Sequence, residues 1–279
     1  MVSTHDWGSW NPGSNPGAPI LSVRIMKSPN QENQHSKALV AMWADYIDWE
    51  KRRSGEDGFL IKMLKRHKCR EVFNSGLGDG CDTIYLLKEG FDVVSNEIDD
   101  VFLQKALENA KRDNVAIELT NLDWRDLTSD ITQESFDAVI CLGNSLTYLF
   151  KKEDQLKALI EFRKILRPGG VLIIDERNYQ YMLDHKKEIL KGKFRNRRKF
   201  VYCGDNVDLM PVELSQNIIV FEYTHKTTGE KARLTLYPFK ENELLGLLEE
   251  AGFSQITQYS DFKKGANPDA DFFTYVCVK

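Results

Sequence analysis

Short apolar segments alternate with amphipathic segments through the middle of this 279-residue chain. Apolar residues recur at helical spacing over residues 36–53 and again over 56–67, which predicts two helices near the start. Strands and helices then alternate, which predicts right-handed crossovers, a parallel sheet and hence an α/β fold. The predicted strands are 71–75, 92–96, 116–119, 136–142 and 171–175, and the predicted helices are 82–88, 101–112 and 153–166.

The alternation stops after residue 180. Strand-like segments at 200–203, 217–223 and 232–237 predict a small antiparallel cap, inserted at about 180–238 and placed to lie over the cleft. The chain then returns to a helix capped by glycine and to two final strands. These elements are predicted at 241–251, with Gly252 as the cap, and at 255–260 and 272–279.

Composition adds little to this outline but excludes several functions. Residues 1–34 are rich in Gly, Pro, Ser and Asn, so we expect a flexible arm before a single domain at 35–279. Thirty-eight basic against 42 acidic residues are too balanced for general nucleic-acid or anionic-membrane binding. The five cysteines form no metal-site or disulfide pattern. Without a long apolar run or a signal-peptide core, we expect a cytoplasmic protein.

Two neighbouring strand ends carry the most informative polar residues. The segment FDAVICLGNSLTYL at 136–149 predicts a buried strand that ends at Asn144 and Ser145. The segment RPGGVLIIDERNYQYML at 167–183 predicts a second strand that ends near Arg177. Ligands of open α/β sheets lie beyond the carboxyl ends of adjacent parallel strands. An amide, a hydroxyl and a guanidinium at one cleft indicate a small substrate that carries a carboxylate.

A glycine-rich turn after the first strand indicates a nucleoside cofactor. Gly76, Gly78 and Gly80 allow a tight turn and a close approach of the backbone to a ligand. Glu97 ends the next strand, where an acidic side chain would bind ribose hydroxyls. Asp123-Trp124 follows the third strand and suits an adenine edge and face. The G-x-G-x-G spacing favours S-adenosylmethionine over a dinucleotide; a glycine turn without any cofactor is the alternative.

Several further segments carry a resemblance to a known family. They are Trp43-x-x-Tyr46-Ile47-Asp48-Trp49, Glu89 to Ser95, Asp123-Trp124, Ile140 to Ser145, Asp175-x-Arg177-Asn178-Tyr179, Tyr202-Cys203-Gly204 and Asp261-Phe262. From about Leu39 to its end, the chain resembles glycine N-methyltransferases and, more closely, the microbial glycine/sarcosine and sarcosine/dimethylglycine N-methyltransferases. The segments at 140–145 and 175–179 are distinctive for the substrate class.

The resemblance implies a Rossmann-like class I methyltransferase fold. Its sheet would be mostly parallel and seven-stranded, with helices on both faces and a small antiparallel β cap inserted after the fifth strand. It implies methyl transfer from S-adenosylmethionine, which leaves S-adenosylhomocysteine, to glycine, sarcosine or dimethylglycine, towards glycine betaine. No metal is expected. The expected partner is the small amino acid alone, with no nucleic acid and no membrane, and the chain would be a monomer or small homo-oligomer.

The resemblance also assigns roles to individual residues. The expected cofactor-binding set, which includes the loop glycines, is Trp43, Arg52, Asn74, Gly76, Gly78, Glu97, Asp123, Trp124, Leu142 and Ser145. The expected substrate-binding set is Asn144, Arg177, Tyr202 and Tyr237, of which the first three would form the catalytic group. Arg52 would contact the methionine carboxylate of the cofactor, and Tyr202 would lie over the sulfonium.

Alternatives remain at several of these positions. Arg177 would otherwise pair with Glu176 or Asp175, Asn144 would cap a following helix, and Trp43 would pack in the core. Asn74 stands where the family carries an aspartate, His35 lies where a tyrosine is expected, and Tyr148 replaces a histidine. The alternative functions are therefore methylation of another small molecule, or S-adenosylmethionine binding with weak turnover.

Overall fold

The computed structural model of the chain describes residues 36–193 and 204–279. The arm predicted at 1–34, His35, Tyr202 and the strand predicted at 200–203 lie outside the described residues. The helices are α1 Lys37–Tyr46, α2 Trp49–Glu56, α3 Phe59–Arg66, α4 Cys81–Lys88, α5 Asp100–Asp113, α6 Lys152–Ile165, α7 Tyr179–Asp184, α8 Lys186–Glu188 and α9 Glu243–Glu250. The strands are β1 Glu71–Asn74, β2 Asp92–Asn96, β3 Glu118–Thr120, β4 Phe136–Cys141, β5 Leu166–Arg177, β6 Val207–Leu214, β7 Ile219–His225, β8 Lys231–Leu236, β9 Ser254–Ser260, β10 Lys263–Lys264 and β11 Phe272–Val278.

The large sheet has the strand order β3-β2-β1-β4-β5-β11-β9-β10. The five strands from β3 to β5 are parallel, β11 runs antiparallel to β5 and β9, and β10 runs antiparallel to β9. The predicted α/β fold is therefore confirmed. The predicted number of seven strands is wrong by one, because the two-residue β10 is too short to show any alternation in sequence.

The sheet is covered on both faces, and successive side chains of one strand pack into different hydrophobic clusters. Val139 of β4 and Leu172 of β5 pack on one side, in a cluster that includes Phe162 of α6. Ile140 and Ile173, one residue further along, pack on the other side with α3. Burial on both faces explains why these strands are continuous apolar runs. No helix in the described ranges has the length and apolar character needed to cross a bilayer.

A second sheet follows β5 and forms the predicted cap. Its strands run antiparallel in the order β6-β7-β8. Apolar residues from all three strands pack against α1 through Leu39, Met42 and Tyr46, and against Tyr179 and Met182 of α7. Helices α1 and α7 therefore join the cap to the rest of the fold.

Three details differ from the elements predicted by periodicity. The helix expected over 36–53 ends at Tyr46, because the Asp48 side chain accepts a hydrogen bond from the Lys51 N–H and begins α2. The helix expected over 56–67 begins only at Phe59, because residues 57 and 58 adopt left-handed backbone conformations. Strand β6 was not predicted, since it contains Pro211; the strand tolerates proline because it lies at the edge of its sheet.

Candidate active site

Two adjoining cavities lie beyond the carboxyl ends of the parallel strands. The large cavity has a volume of about 800 Å³ and the small cavity a volume of about 110 Å³. Trp43, Ile47, Arg52, Gly143 and Tyr148 line both of them. Ligand pockets commonly measure roughly 300–1,000 Å³, so the large cavity suits a nucleoside-sized molecule. The small cavity beside it suits a much smaller ligand.

All the predicted cofactor residues except Asn74 line the large cavity. Asn74 is buried behind the glycine turn, where its amide donates to Thr83 Oγ1 at 2.9 Å and accepts from the Gly76 N–H at 3.3 Å. It therefore fixes the shape of the turn. The direct cofactor contact predicted for Asn74 is not supported by this position.

Two glycines of the turn are required by their surroundings. A Cβ atom at Gly76 would lie 3.3 Å from Ser145 Oγ and 3.9 Å from the Trp124 ring. A Cβ atom at Gly80 would lie 3.1 Å from the Cβ of Ala106 on α5, and Gly80 also has φ +85°. Gly76 therefore allows the turn to approach the loop after β4, and Gly80 allows α5 to pack against the turn.

Glu97 joins the end of β2 to the glycine turn. Its carboxylate accepts hydrogen bonds from the Gly78 N–H at 2.8 Å, the Ile98 N–H at 3.0 Å and the Asp99 N–H at 2.9 Å. These three bonds fix the carboxylate on the wall of the large cavity.

Asp123 and Trp124 also line the large cavity. Burial alone would raise the pKa of Asp123, but hydrogen bonds from the Arg125 side chain and N–H lower it below its usual value. Asp123 is therefore an ionised acceptor at neutral pH. Trp124 is held by a 2.7 Å hydrogen bond from its indole N–H to the Ser75 carbonyl and by edge contact with Phe162.

Arg52 lies where the two cavities meet and is fixed by neighbouring carboxylates. Its Nε lies 2.7 Å from Glu56 Oε1, and Nη2 lies 3.6 Å from Asp82 Oδ2. Arg53 completes the cluster with contacts of 3.1 Å to Glu56 and 2.7 Å to Asp82. This four-residue ion cluster attaches α2 to the start of α4 and presents one guanidinium to both cavities.

Arg177 and Asn144 meet in the small cavity, as predicted. The side-chain oxygen of Asn144 accepts a hydrogen bond from the Arg177 backbone N–H, so its NH₂ group must be directed elsewhere as a donor. The Arg177 guanidinium carbon lies 4.8 Å from the ring centre of Phe272 and 5.7 Å from that of Phe221. A planar cation and an amide donor therefore line one small space.

Asp175, Glu176 and the Asn144 side chain, which the alternative roles of Arg177 and Asn144 involve, make the following contacts. Asp175 accepts hydrogen bonds from the Gly143 and Asn144 N–H groups, at 3.1 and 2.7 Å, and thereby fixes the loop after β4. Glu176 accepts from the Tyr275 hydroxyl at 2.9 Å instead. The side chain of Asn144 makes no capping hydrogen bond to the short 3-10 helix Ser145–Tyr148.

Aromatic side chains that were not predicted as site residues form much of the small cavity. They are Tyr46, Tyr148, Tyr179 and Tyr223, together with Phe221, Phe262 and Phe272. Burial, followed by the charges of neighbouring groups such as Glu97, raises the pKa of Tyr148 well above its usual value, so its phenol stays neutral. The resemblance already marks Tyr46, Tyr148 and Tyr179, but periodicity assigns Tyr46 only to the core.

Tyr237 does not line either cavity, in contrast to the prediction. Strand β8 ends at Leu236, and the Tyr237 hydroxyl then donates to Glu243 Oε1 at 2.6 Å. The ring packs against Phe239, on the side of the sheet that faces α9. Among the described residues, no group of three or more His, Cys, Asp or Glu side chains is arranged to hold a metal ion.

Comparisons with known proteins agree with this arrangement. Residues 72–170 match the family model described as a methyltransferase domain. Over 258 aligned residues the chain is 37% identical to the glycine/sarcosine N-methyltransferase of Aphanothece halophytica. This alignment covers 92% of this chain and 94% of that protein. The chain is 34% identical to the glycine/sarcosine N-methyltransferase of Halorhodospira halochloris, and that alignment covers 92% of this chain and 93% of the relative.

The fold also matches a solved S-adenosylmethionine-dependent methyltransferase from Clostridium acetobutylicum. The TM-score is 0.63 over 83% of this chain and 92% of that chain, at 15% sequence identity. At that identity the match concerns the fold alone.

Proposed function

We propose, since the chain belongs to the family of glycine/sarcosine N-methyltransferases, that it transfers methyl groups from S-adenosylmethionine to the nitrogen of a small amino acid. The substrate class comprises glycine, sarcosine and dimethylglycine, and successive transfers lead towards glycine betaine. One observation carries this proposal above the others. A nucleoside-sized cavity adjoins a small cavity that contains both Arg177 and Asn144.

The residues of the large cavity fit S-adenosylmethionine chemically. Glu97 ends β2 as an acceptor for ribose hydroxyls, and the ionised Asp123 suits the amino group of adenine. Ile98 and Phe150 line the same cavity as partly exposed apolar side chains, which suit the faces of a base. Arg52 would pair with the methionine carboxylate of the cofactor.

The small cavity would hold the amino acid by its carboxylate. The Arg177 guanidinium binds a carboxylate as a planar two-pronged donor, which fixes both the position and the direction of the ligand. The NH₂ group of Asn144 adds a donor beside it. With the carboxylate held there, the amine of a small substrate points towards the junction of the two cavities, where Tyr148 and Trp43 lie.

Catalysis would depend chiefly on positioning. The cofactor, when bound, supplies a methyl group activated by its positively charged sulfur. The protein holds the neutral amine in line with that methyl group, and such orientation contributes up to roughly 7–11 kcal/mol in favourable cases. The aromatic rings at the junction stabilise the positive charge that the nitrogen gains.

The alternative of a cofactor-binding protein with weak turnover is not favoured. It was suggested by the loss of a negative charge at Asn74. Asn74 lines neither cavity, and both ends of its amide are hydrogen-bonded within the turn. Asn74 therefore holds the turn and adds no group of its own to the wall of either cavity.

Mass spectrometry of the products tests the proposal. Glycine, sarcosine and dimethylglycine are offered separately with S-adenosylmethionine, and we expect a mass gain of one methyl group or more from at least one of them. Methylamine, which lacks a carboxylate, serves as the control acceptor and should react far more slowly. Cofactor binding without transfer to any of the three amino acids would overturn the proposal.

A further inference from the structure

The hydroxyl of Tyr179 differs from the other groups of the small cavity. Tyr179 is the first residue of α7, two positions after Arg177, and only 1% of its surface is exposed. It belongs to the wall of the small cavity. Its hydroxyl makes no hydrogen bond within the part of the chain that the structure describes. Burying a hydroxyl without a partner destabilises a folded protein, so the position calls for an explanation from ligand binding.

The neighbours of this hydroxyl place it at the end of the cavity assigned to the carboxylate. Burial raises the pKa of Tyr179, and the positive charge of Arg177 opposes part of that rise, so the two side chains are close. The Thr147 side chain is close enough to lower the pKa of Tyr179, but the geometry between the two hydroxyls is not that of a hydrogen bond. The Thr147 hydroxyl donates to the Asn144 carbonyl, at 2.5 Å. Tyr179 therefore retains its proton, lies near Arg177 and lines the same small cavity as Asn144.

We propose that the Tyr179 hydroxyl donates a third hydrogen bond to the substrate carboxylate, beside Arg177 and Asn144. This proposal rests on the proposed function, because it takes the amino acid as the occupant of the small cavity. A carboxylate has about four acceptor sites, so it accommodates a third donor. A hydrogen bond to an ionised acceptor is also stronger than a neutral one. Binding would thus satisfy an atom that folding leaves without a partner.

The substitution Tyr179→Phe removes only this oxygen and tests the proposal. We expect the KM of the amino acid to rise about 10-fold to 100-fold, which corresponds to the loss of one hydrogen bond to a charged group. The kcat and the Kd of S-adenosylmethionine should stay close to those of the wild type. The melting temperature of the ligand-free protein should be unchanged or higher, because an unsatisfied buried hydroxyl has been removed.

The matched control is Tyr237→Phe, since Tyr237 also loses a hydroxyl but lines neither cavity. It should leave the KM of the amino acid unchanged. An unchanged KM in Tyr179→Phe would overturn the proposal. A fall in melting temperature, a failure to fold or an equal loss of cofactor affinity would also overturn it, because each would show a structural role for the hydroxyl.

Acetate binding separates this proposal from the proposed function. Acetate carries the carboxylate without the amine, and its Kd is measured by calorimetry in the presence of S-adenosylhomocysteine. If the wild type methylates none of the three amino acids, the proposed function fails. Weaker acetate binding by Tyr179→Phe would still support the Tyr179 contact, whereas equal binding by both proteins would contradict it.

Discussion

Asn144 shows how one backbone conformation determines what a side chain offers to a ligand. Its φ of 61° places it in the left-handed region, which asparagine tolerates better than most residues. In this conformation its N–H reaches Asp175 and its side-chain oxygen reaches the Arg177 N–H. The amide is therefore oriented by backbone contacts before any ligand arrives, and such preorganisation reduces the cost of binding.

At Arg177 we expect the shape of the side chain to matter as well as its charge. Arg177→Lys keeps the positive charge but loses the planar fork, so the KM of the amino acid should rise about 10-fold or more, while the Kd of the cofactor should change little. Steady-state kinetics with calorimetry of cofactor binding provide both values. Arg167→Lys is the control, because Arg167 pairs with Glu71 and Asp137 away from both cavities. Equal losses for both ligands would count against the assigned role.

Gly76 should tolerate no side chain. Gly76→Ala introduces a Cβ atom 3.3 Å from Ser145 Oγ, inside the wall of the large cavity. We expect the Kd of S-adenosylmethionine to rise roughly 10-fold or more, because displacing Ser145 or the turn disturbs several contacts together. The control is Gly246→Ala in α9, where nothing lies within 4 Å of the added atom. That control should stabilise the protein by about 0.5–1 kcal/mol without changing cofactor affinity.

At the scale of the elements, the break between α1 and α2 allows α2 to contact the residues that follow the glycine turn. Continuation of one straight helix would carry Trp49, Arg52 and Arg53 away from the glycine turn. The break instead allows the Trp49 indole N–H to donate to Asp79 at 3.0 Å, and the two arginines to reach Asp82. Periodicity does not reveal such a break, because Trp49 is the one large apolar residue of α2 and gives that helix no apolar spacing of its own.

Glu56 should be a critical member of the ion cluster between α2 and α4. Glu56→Gln would leave Arg52 and Arg53 with Asp82 as their remaining carboxylate partner within the cluster. Breaking a buried ion pair typically costs a few kcal/mol, so we expect the free energy of unfolding in urea to fall by roughly 3 kcal/mol. The control is Asp57→Asn, which removes an exposed contact to Lys62 and should leave the free energy of unfolding almost unchanged. Similar small effects from both variants would show that the cluster contributes little.

The accuracy of sequence-based prediction also varies by element. The strands of the parallel sheet and Gly252 at the end of α9 were predicted because each depends on local pattern and backbone geometry. Strand β6 was missed because Pro211 in a sequence argues against a strand. The strand forms nevertheless, because it lies at the edge of its sheet, where proline is tolerated. The cap lies against α1 through long-range contacts, so the positions of Tyr46, Tyr148 and Tyr223 around the small cavity depend on tertiary packing.

At the scale of the whole molecule, one buried acid should make stability depend on pH. Burial raises the pKa of Glu176 from 4.5 to about 8, and the nearby Glu243 and Asp175 carboxylates add to the rise. The unfolded chain releases this proton at lower pH than the folded chain does. The contribution of Glu176 to stability is therefore fully present below the unfolded pKa and should fall between about pH 4.5 and pH 8, by at most about 1.4 kcal/mol per pH unit.

Glu176→Gln should remove this dependence, because glutamine resembles the protonated acid. The gain in free energy of unfolding over the wild type should grow from pH 5 to pH 8 and then level off, as measured by denaturant unfolding at each pH. Glu222→Gln is the control: contacts from Lys231 and Arg233 lower the pKa of Glu222, so its contribution changes only under acidic conditions. A constant difference between Glu176→Gln and the wild type would exclude the raised pKa.

The two edge strands of the large sheet influence the tendency of this protein to aggregate at high concentration. One edge is β3, only three residues long, and the other is β10, formed by two lysines. An intruding strand would find only three residues to pair with at β3, and at β10 it would meet two positive charges. Short, charged margins of this kind oppose the stacking of sheets into fibrils, so lengthening β10 or neutralising its lysines should promote aggregation.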